Sequence, residues 1–182
     1  LSLAAFKYTV TDAQFDRTIA IPVPPFFTTS VENAAVTDGQ GIEIEGSWLA
    51  SEDFRLDFNG TWYDISFEEF STLNVLDPAI ILLGTAAVPD NLEGNRPRNT
   101  PEYSLGVRGT YTQDLTNGGT IDYSAAYAYK GEQFYTEFND PLMGADAYGI
   151  LDANLNYTFP NENLTVNFWA KNITDEFVLS GA

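Results

Sequence analysis

Residues 54–70, "FRLDFNGTWYDISFEEF", alternate between two kinds of side chain, and this alternation points to the fold. Every second residue from Phe54 to Trp62 is apolar or glycine, whereas the residues between them, from Arg55 to Tyr63, are polar or charged. A period of two is typical of a β-strand with two unlike faces. In a soluble sheet the apolar face packs on a core, whereas in a membrane barrel it faces lipid and the polar face lines the interior.

The composition excludes several classes of protein. The chain has 182 residues, enough for one domain, and contains neither cysteine nor histidine. It therefore has no disulfide framework, and it cannot supply the histidine of a Ser-His-Asp or Cys-His catalytic site, so we expect no enzymatic activity. With 8 basic and 26 acidic residues, the net charge of −18 argues against nucleic-acid binding, which needs a basic surface.

Seven extended segments are predicted, and their connections alternate between short and long. Asn117-Gly118, in one of the short connections, is a strong hairpin signal. This alternation is typical of an antiparallel outer-membrane barrel with tight periplasmic turns and long outer loops. The predicted strands lie near 2–13, 31–50, 53–65, 101–114, 120–131, 148–159 and 163–175, the tight turns near 50–53, 115–119 and 160–163, and the long loops near 14–30, 66–100 and 132–147.

One face of the predicted strands carries no charge. The set takes alternate residues from Ile42 to Ala50, from Phe54 to Trp62 and onward through the later strands, and none of its 29 positions is charged. A charged side chain that faces the middle of a bilayer costs roughly 2–4 kcal/mol, which accounts for this absence. The charges lie on the opposite face.

Strand length and aromatic placement favour a membrane barrel over a secreted, glycan-binding β-sandwich. Each uncharged set covers about nine residues, which at about 3.3 Å per residue and a tilt near 45° span roughly 20 Å. Trp48 and Phe54 lie beside a tight turn, and Trp62 and Tyr103 lie beside the long loops, as in two aromatic girdles. We therefore predict an all-β fold, a partial antiparallel transmembrane β-barrel of about seven strands. No apolar run is long enough for a transmembrane helix.

Three stretches carry a family resemblance. They are "VENAAVTDGQGIEIEGSW" (31–48), "GNRPRNTPEYSLGVRGTY" (94–111) and "YGILDANLNYTFPNENLTVNFWAKNITDEF" (148–177), the last with an Asn-Ile-x-Asp turn at 172–175. In this order they resemble the C-terminal part of the barrel of TonB-dependent outer-membrane receptors. The family continues with one more strand that ends on an aromatic residue, and it has an N-terminal plug and TonB box, none of which is found in this sequence. We therefore expect the chain to be part of a larger, 22-stranded barrel.

The resemblance implies a function and partners. It implies active uptake of a scarce nutrient, of the iron-siderophore, cobalamin or oligosaccharide class, with energy from the TonB complex acting through an N-terminal part. It also implies the outer membrane of a Gram-negative bacterium, contact with lipid and lipopolysaccharide, and a surface lipoprotein as a candidate partner. A passive porin-type channel is the alternative transport function.

The candidate site residues form two groups. The charges on the polar face either contact a ligand or plug, or pair with one another across neighbouring strands, and the second interpretation is favoured. In the loops, "IPVPPFF" (21–27) and a predicted short helix at 77–84 either contact a ligand or a partner lipoprotein or pack on each other, and packing is favoured. Asp64 with "SFEEF" (66–70) is a weak candidate for calcium. The polar-face candidates are Glu43, Glu45, Arg55, Asp57, Arg108, Asp122, Lys130, Asp152 and Lys171, and the loop candidates are Phe26, Phe27, Ile80 and Leu82.

Overall fold

A computed structural model describes residues 1–24, 26–78, 80 and 87–179, with only the backbone described at Ala34. In these ranges, seven strands form one antiparallel sheet, and each strand in the following list is hydrogen-bonded to the next. The strands are β1 (Ser2–Ala20), β2 (Phe27–Leu49), β3 (Phe54–Glu69), β6 (Tyr103–Asp114), β7 (Thr120–Lys130), β10 (Tyr148–Thr158) and β11 (Thr165–Ala170). Two-residue strands pair in the long connections, β4 (Ser71–Thr72) with β5 (Asp90–Asn91) and β8 (Gln133–Phe134) with β9 (Gly144–Ala145), and a 3₁₀ helix covers Pro141–Met143.

The register places the uncharged positions on a single face. For example, one row across the sheet reads Phe58, Val107, Tyr127 and Leu151, and each of these residues is the direct partner of the next. We call this the apolar face and the other the polar face. Large side chains of the apolar face stay exposed, such as Ile42 at 45% and Phe168 at 63%. A continuous exposed apolar surface of this kind marks a membrane-facing wall.

The connections confirm the alternation of short and long. Residues 50–53, 115–119 and 159–164 make the tight turns, and Gly118 supplies a positive φ of 84° in the second of them. We call the strand ends joined by these tight turns the tight-turn end of the sheet. The opposite strand ends, which the long connections join, are the loop end.

Several predicted boundaries were wrong at the loop end. The loop predicted near 14–30 covers only residues 21–26, because β1 and β2 continue as a paired hairpin. A bulge between Val10 and Ala13, with Asp12 at φ 57°, interrupts the period-two pattern there, which is why the continuation was missed. Strand β3 continues to Glu69, so residues 66–69 of the predicted loop belong to a strand, whereas β11 ends at Ala170 rather than near 175.

The buried core lies at the loop end rather than between two sheets. Phe67 and Phe70 pack with Ala35 and Leu92, and Phe15 contacts the cluster edge-on, with its ring centroid 5.0 Å from that of Phe67. The long strands are joined in a single sheet, so the β-sandwich alternative is wrong. Within the described ranges, no helix has the length and apolarity needed to cross a membrane.

Candidate functional site

Eight of the nine predicted charged residues lie on the polar face of the strands, and the ninth, Lys171, lies next to it. The register gives successive rows across the strands, and one row runs Ser47, Asp57, Arg108, Ala126 and Asp152. Lys171 follows β11 directly and joins this surface, because it lines a cavity of about 330 Å³ with Arg108, Asp152 and Trp169. The other placements on this face are Glu43, Glu45, Arg55, Asp122 and Lys130.

The charges of this surface pair less than expected. Arg55 Nη2 donates to Asp57 Oδ1 at 2.7 Å, an ion pair within one strand, and the Ser47 hydroxyl donates to the same carboxylate. Asp57 lies directly opposite Arg108 in the register, yet these two form no ion pair. Elsewhere, Asp122 accepts from the Thr112 hydroxyl at 2.7 Å. Much of the charge is therefore available to other groups.

A broad depression crosses the middle of the polar face. Its volume is about 920 Å³, and Gly106, Ala126 and Ala128 leave room for it because their side chains are absent or small. Charged residues from four strands surround it: Glu45, Asp57, Arg108 and Asp152.

Closer to the loop end, three aromatic rings form a shelf on the same face. Phe6 and Tyr8 of β1 are stacked with their planes at 19°, and Tyr63 of β3 lies 6.0 Å from Phe6 between ring centroids. The Tyr8 and Tyr63 hydroxyls are hydrogen-bonded. The shelf is possible because Gly39 and Gly41 of β2, which separate the two strands, have no side chains. We call Phe6, Tyr8 and Tyr63 the aromatic shelf.

At the loop end, the connection between β3 and β6 is hydrogen-bonded to the connection between β7 and β10, and we call these contacts the loop interlock. Arg96 N donates to Asn139 Oδ1 at 2.7 Å, and Asn139 Nδ2 donates back to Arg96 O at 2.8 Å. Asn95 Nδ2 also donates to Glu137 O at 3.0 Å. Separation of the two connections would leave the polar groups of Arg96 and Asn139 without these partners, which costs free energy. The reciprocal pair therefore holds the two connections together.

Carboxylates neutralise the arginines of the loop end. Arg96 Nη2 lies 2.6 Å from Glu102 Oε2, and this hydrogen bond, with a second from Trp62 Nε1, lowers the pKa of Glu102 below its ordinary value of 4.5. Arg98 lies 3.3 Å from Asp16 Oδ2, to which it donates a hydrogen bond, and 3.3 Å from Glu137 Oε1, with which it forms an ion pair but no hydrogen bond.

The predicted loop contacts differ in accessibility. Phe26 is 43% exposed at the hairpin tip and has a φ of 72°, whereas Phe27 begins β2 opposite Ala20. Ile80 is buried at 6%, so it contributes to packing rather than to an open surface. Leu82 lies outside the described residues, as does most of the predicted helix at 77–84.

Calcium binding in the acidic loops stays a prediction. Residues 66–69, which were assigned to a loop, lie on β3. In the part of the chain that the structure describes, no group of three or more acidic side chains is placed to hold a metal ion.

Sequence reasoning missed the aromatic shelf and the loop interlock. The shelf could have been predicted from a sequence pattern. Phe6 and Tyr8 are two residues apart on β1, and Gly39 and Gly41 are two residues apart on β2. An aromatic residue commonly covers a glycine on a neighbouring strand. The interlock between Arg96 and Asn139 has no such signal, because the two residues are 43 positions apart in irregular segments.

Comparison with solved structures gives the same fold. The chain matches the ferric yersiniabactin uptake receptor FyuA of Yersinia pestis at a TM-score of 0.69 and 19% identity, over 98% of this chain and 24% of that one. It matches the ferric preacinetobactin receptor BauA of Acinetobacter baumannii at 0.64 and 16%, over 96% and 23%. The siderophore receptor PiuA of the same species gives 0.66 and 16%, over 96% and 22%. The chain thus spans about a quarter of the length of these receptors.

Comparison of the sequence identifies the family. None of the curated proteins compared with the chain matches it. The family model described as "TonB dependent receptor-like, beta-barrel" matches residues 1–173, nearly the whole chain, and it describes a class of transport receptors rather than enzymes. The apolar face is therefore the lipid-facing wall of a partial transmembrane barrel, and the polar face lines its interior. The chain belongs to the TonB-dependent receptor β-barrel family.

Proposed function

We propose that this chain is the nutrient-binding and conducting wall of an outer-membrane receptor that takes up a scarce nutrient, an iron chelate, with energy from the TonB complex. The family match over residues 1–173 carries the proposal. The structural neighbours named as receptors for ferric yersiniabactin, ferric preacinetobactin and siderophores support the iron-chelate class. Cobalamin and oligosaccharides are the alternative nutrient classes.

The geometry of the polar face supports binding and passage rather than chemistry. Its charges come from several strands and surround a depression of about 920 Å³, with the aromatic shelf between that depression and the loop end. Such a surface can hold a polar ligand through many weak contacts. The interlocked connections stand at the end where we propose that the nutrient enters from outside the cell.

The experiment is uptake of radioactive iron by cells that produce the intact protein or lack it. Under iron limitation, we expect the producing cells to accumulate iron from a chelate mixture and to stop when the TonB complex is deleted. Uptake that persists without the TonB complex would support the passive porin-type channel instead. Equal uptake with and without the protein would refute transport of iron chelates.

A further inference from the structure

We propose that the interior wall of β1, β2 and β3 binds a positively charged group of the transported nutrient, such as a protonated or quaternary amine. This inference rests on the proposed function and adds to it the charge class of the ligand. The wall consists of the aromatic shelf and two carboxylates beside it, Glu43 and Glu45.

The rings of the shelf lie across the glycines on the interior side of the sheet. A Cβ on Gly41 would lie 2.6 Å from Phe6 Cζ, and one on Gly39 would lie 2.7 Å from Tyr8 Cζ, so each of these rings covers a glycine of β2. The two ring planes differ by 19°, and Tyr8 keeps 37% of its surface exposed, so the two rings form a nearly parallel aromatic surface that a ligand can reach. The face of an aromatic ring is electrostatically negative and attracts cations.

Two carboxylates continue the wall without partners of their own. Glu43 and Glu45 follow Gly41 on the same face of β2, about 7 Å apart in successive rows. In the register, Glu43 faces Ala4 and Thr61, and Glu45 faces Ser2 and Asn59, all of which are uncharged. Neither glutamate forms an ion pair with any described residue. Their charge is therefore available to a ligand.

The loop end adds a field of the same sign. The segments 7–40, 64–102 and 131–147 contain fifteen acidic and four basic residues, a net charge of −11. The three arginines among them are already bound by carboxylates, with Arg17 lying 3.2 Å from Glu32 and the other two paired as described above. The fourth basic residue, Lys7, lies in the row of Gln40 and Asp64 on the apolar face.

This combination distinguishes between classes of ligand. An anionic chelate that approaches from the loop end meets a negative field, and the arginines there are already paired with carboxylates. A cationic group is drawn in by the field, which raises its local concentration, and then meets aromatic rings and two carboxylates that have no ion-pair partner. A ring beside a carboxylate suits an organic ammonium, because the ring attracts the charge while it packs against the attached carbon atoms.

A matched pair of probes tests the inference. The intact protein, purified in detergent, is titrated with two ferric trihydroxamates that differ only at a terminal amine, which is free in one and acetylated in the other. Binding is followed by the quenching of tryptophan fluorescence. We expect the free amine to bind about tenfold more tightly, an effect between those of an exposed and of a fully desolvated cation–π contact.

Variants connect that preference to the wall. The double variant Glu43→Gln/Glu45→Gln should lose the preference, and Tyr8→Leu should weaken it, whereas Tyr8→Phe, which keeps the ring, should retain it. Glu52→Gln, an exposed carboxylate in a tight turn at the other end of the strands, is the control that should change nothing. Heat-dependent migration in gel electrophoresis shows that each variant is folded.

Several results would overturn the inference. They are equal affinity for the two probes, tighter binding of the acetylated probe, a preference that survives in the double variant, and no binding of either probe. Iron uptake by cells is measured separately. Cells that take up iron through the protein while the purified protein shows no charge preference would refute the cation-binding wall and leave the transport proposal intact.

Discussion

Phe6 of β1 covers Gly41 of β2 so closely that position 41 has no room for a side chain. A Cβ there would lie 2.6 Å from Phe6 Cζ and 2.6 Å from the Trp62 carbonyl oxygen on the other neighbouring strand. The ring could move, but the carbonyl belongs to the backbone of the sheet. The glycine therefore permits both the aromatic shelf and the close pairing of β2 with β3.

Gly41→Ala should destabilise the barrel by about 1–3 kcal/mol, the usual cost of forcing an atom into a packed site. Gly60→Ala is the matched control on β3, because its Cβ would meet its nearest neighbour, Ile44 Cγ2, at an ordinary 3.4 Å. Urea unfolding of the intact protein in lipid vesicles measures both variants. Equal losses at the two positions would contradict the packing described here.

The assignment of the two faces predicts unequal effects of arginine on β3. Leu56 lies on the lipid-facing wall between Trp48 and Gly109, so Leu56→Arg should cost roughly 2–4 kcal/mol or prevent insertion. Asn59→Arg should have little effect, because residue 59 faces the polar interior beside Glu45. Refolding yield in vesicles checks the pair. A greater loss at residue 59 would reverse the faces.

The topology predicts which ends of the strands face outward. This chain has no cysteine, so labelling of a single introduced cysteine is measured against the intact protein without that substitution. Val23→Cys and Leu142→Cys, at loop-end positions that are 58% and 90% exposed, should react with a membrane-impermeant thiol reagent on intact cells. Asn117→Cys, in a tight turn, should react only after the outer membrane is opened. Labelling at residue 117 but not at 23 would place the long loops in the periplasm.

The loop interlock predicts a local effect of changing Asn139. Asn139→Ala removes both side-chain hydrogen bonds to Arg96 and leaves alanine at a φ of 53°, which favours glycine or asparagine. Each lost bond costs about 0.5–1.5 kcal/mol, so these connections should open more often and be cleaved faster by protease added to intact cells.

Asn139→Gly separates the effect of the lost hydrogen bonds from that of backbone strain. The glycine variant also lacks the two hydrogen bonds, but glycine adopts a φ of 53° without strain. Cleavage at an intermediate rate is expected for the glycine variant. If cleavage in both variants matched that of the unchanged protein, the interlock would not hold the loops.

The lipid-facing wall could be predicted because its cause is local. A mid-membrane charge is costly at any single position, and the period of two assigns each residue to a face before any partner strand is known. For this reason the positions from Phe54 to Trp62, and their counterparts on the later strands, lie on one face of the sheet as expected. Glu43, Glu45 and Asp57 were placed on the other face by the same argument.

The structure was needed wherever two distant segments meet. The bulge at Asp12 shifts the pattern of β1, and only pairing with β2 shows that the strand continues to Ala20. Likewise, the sequence predicted that the interior charges pair across strands, but side-chain reach and geometry leave Asp57 paired with Arg55 on its own strand rather than with Arg108 opposite.

The sequence by itself determined the fold class, the two faces and the alternation of turns, because each follows from neighbouring residues and the solvent that they meet. The tertiary structure decided the rest: how far the hairpin of β1 and β2 extends, that Phe6 and Tyr8 rest on glycines of another strand, and that Arg96 and Asn139 join two loops. These features depend on the register between strands and on contacts between residues distant in sequence, neither of which a periodic pattern contains.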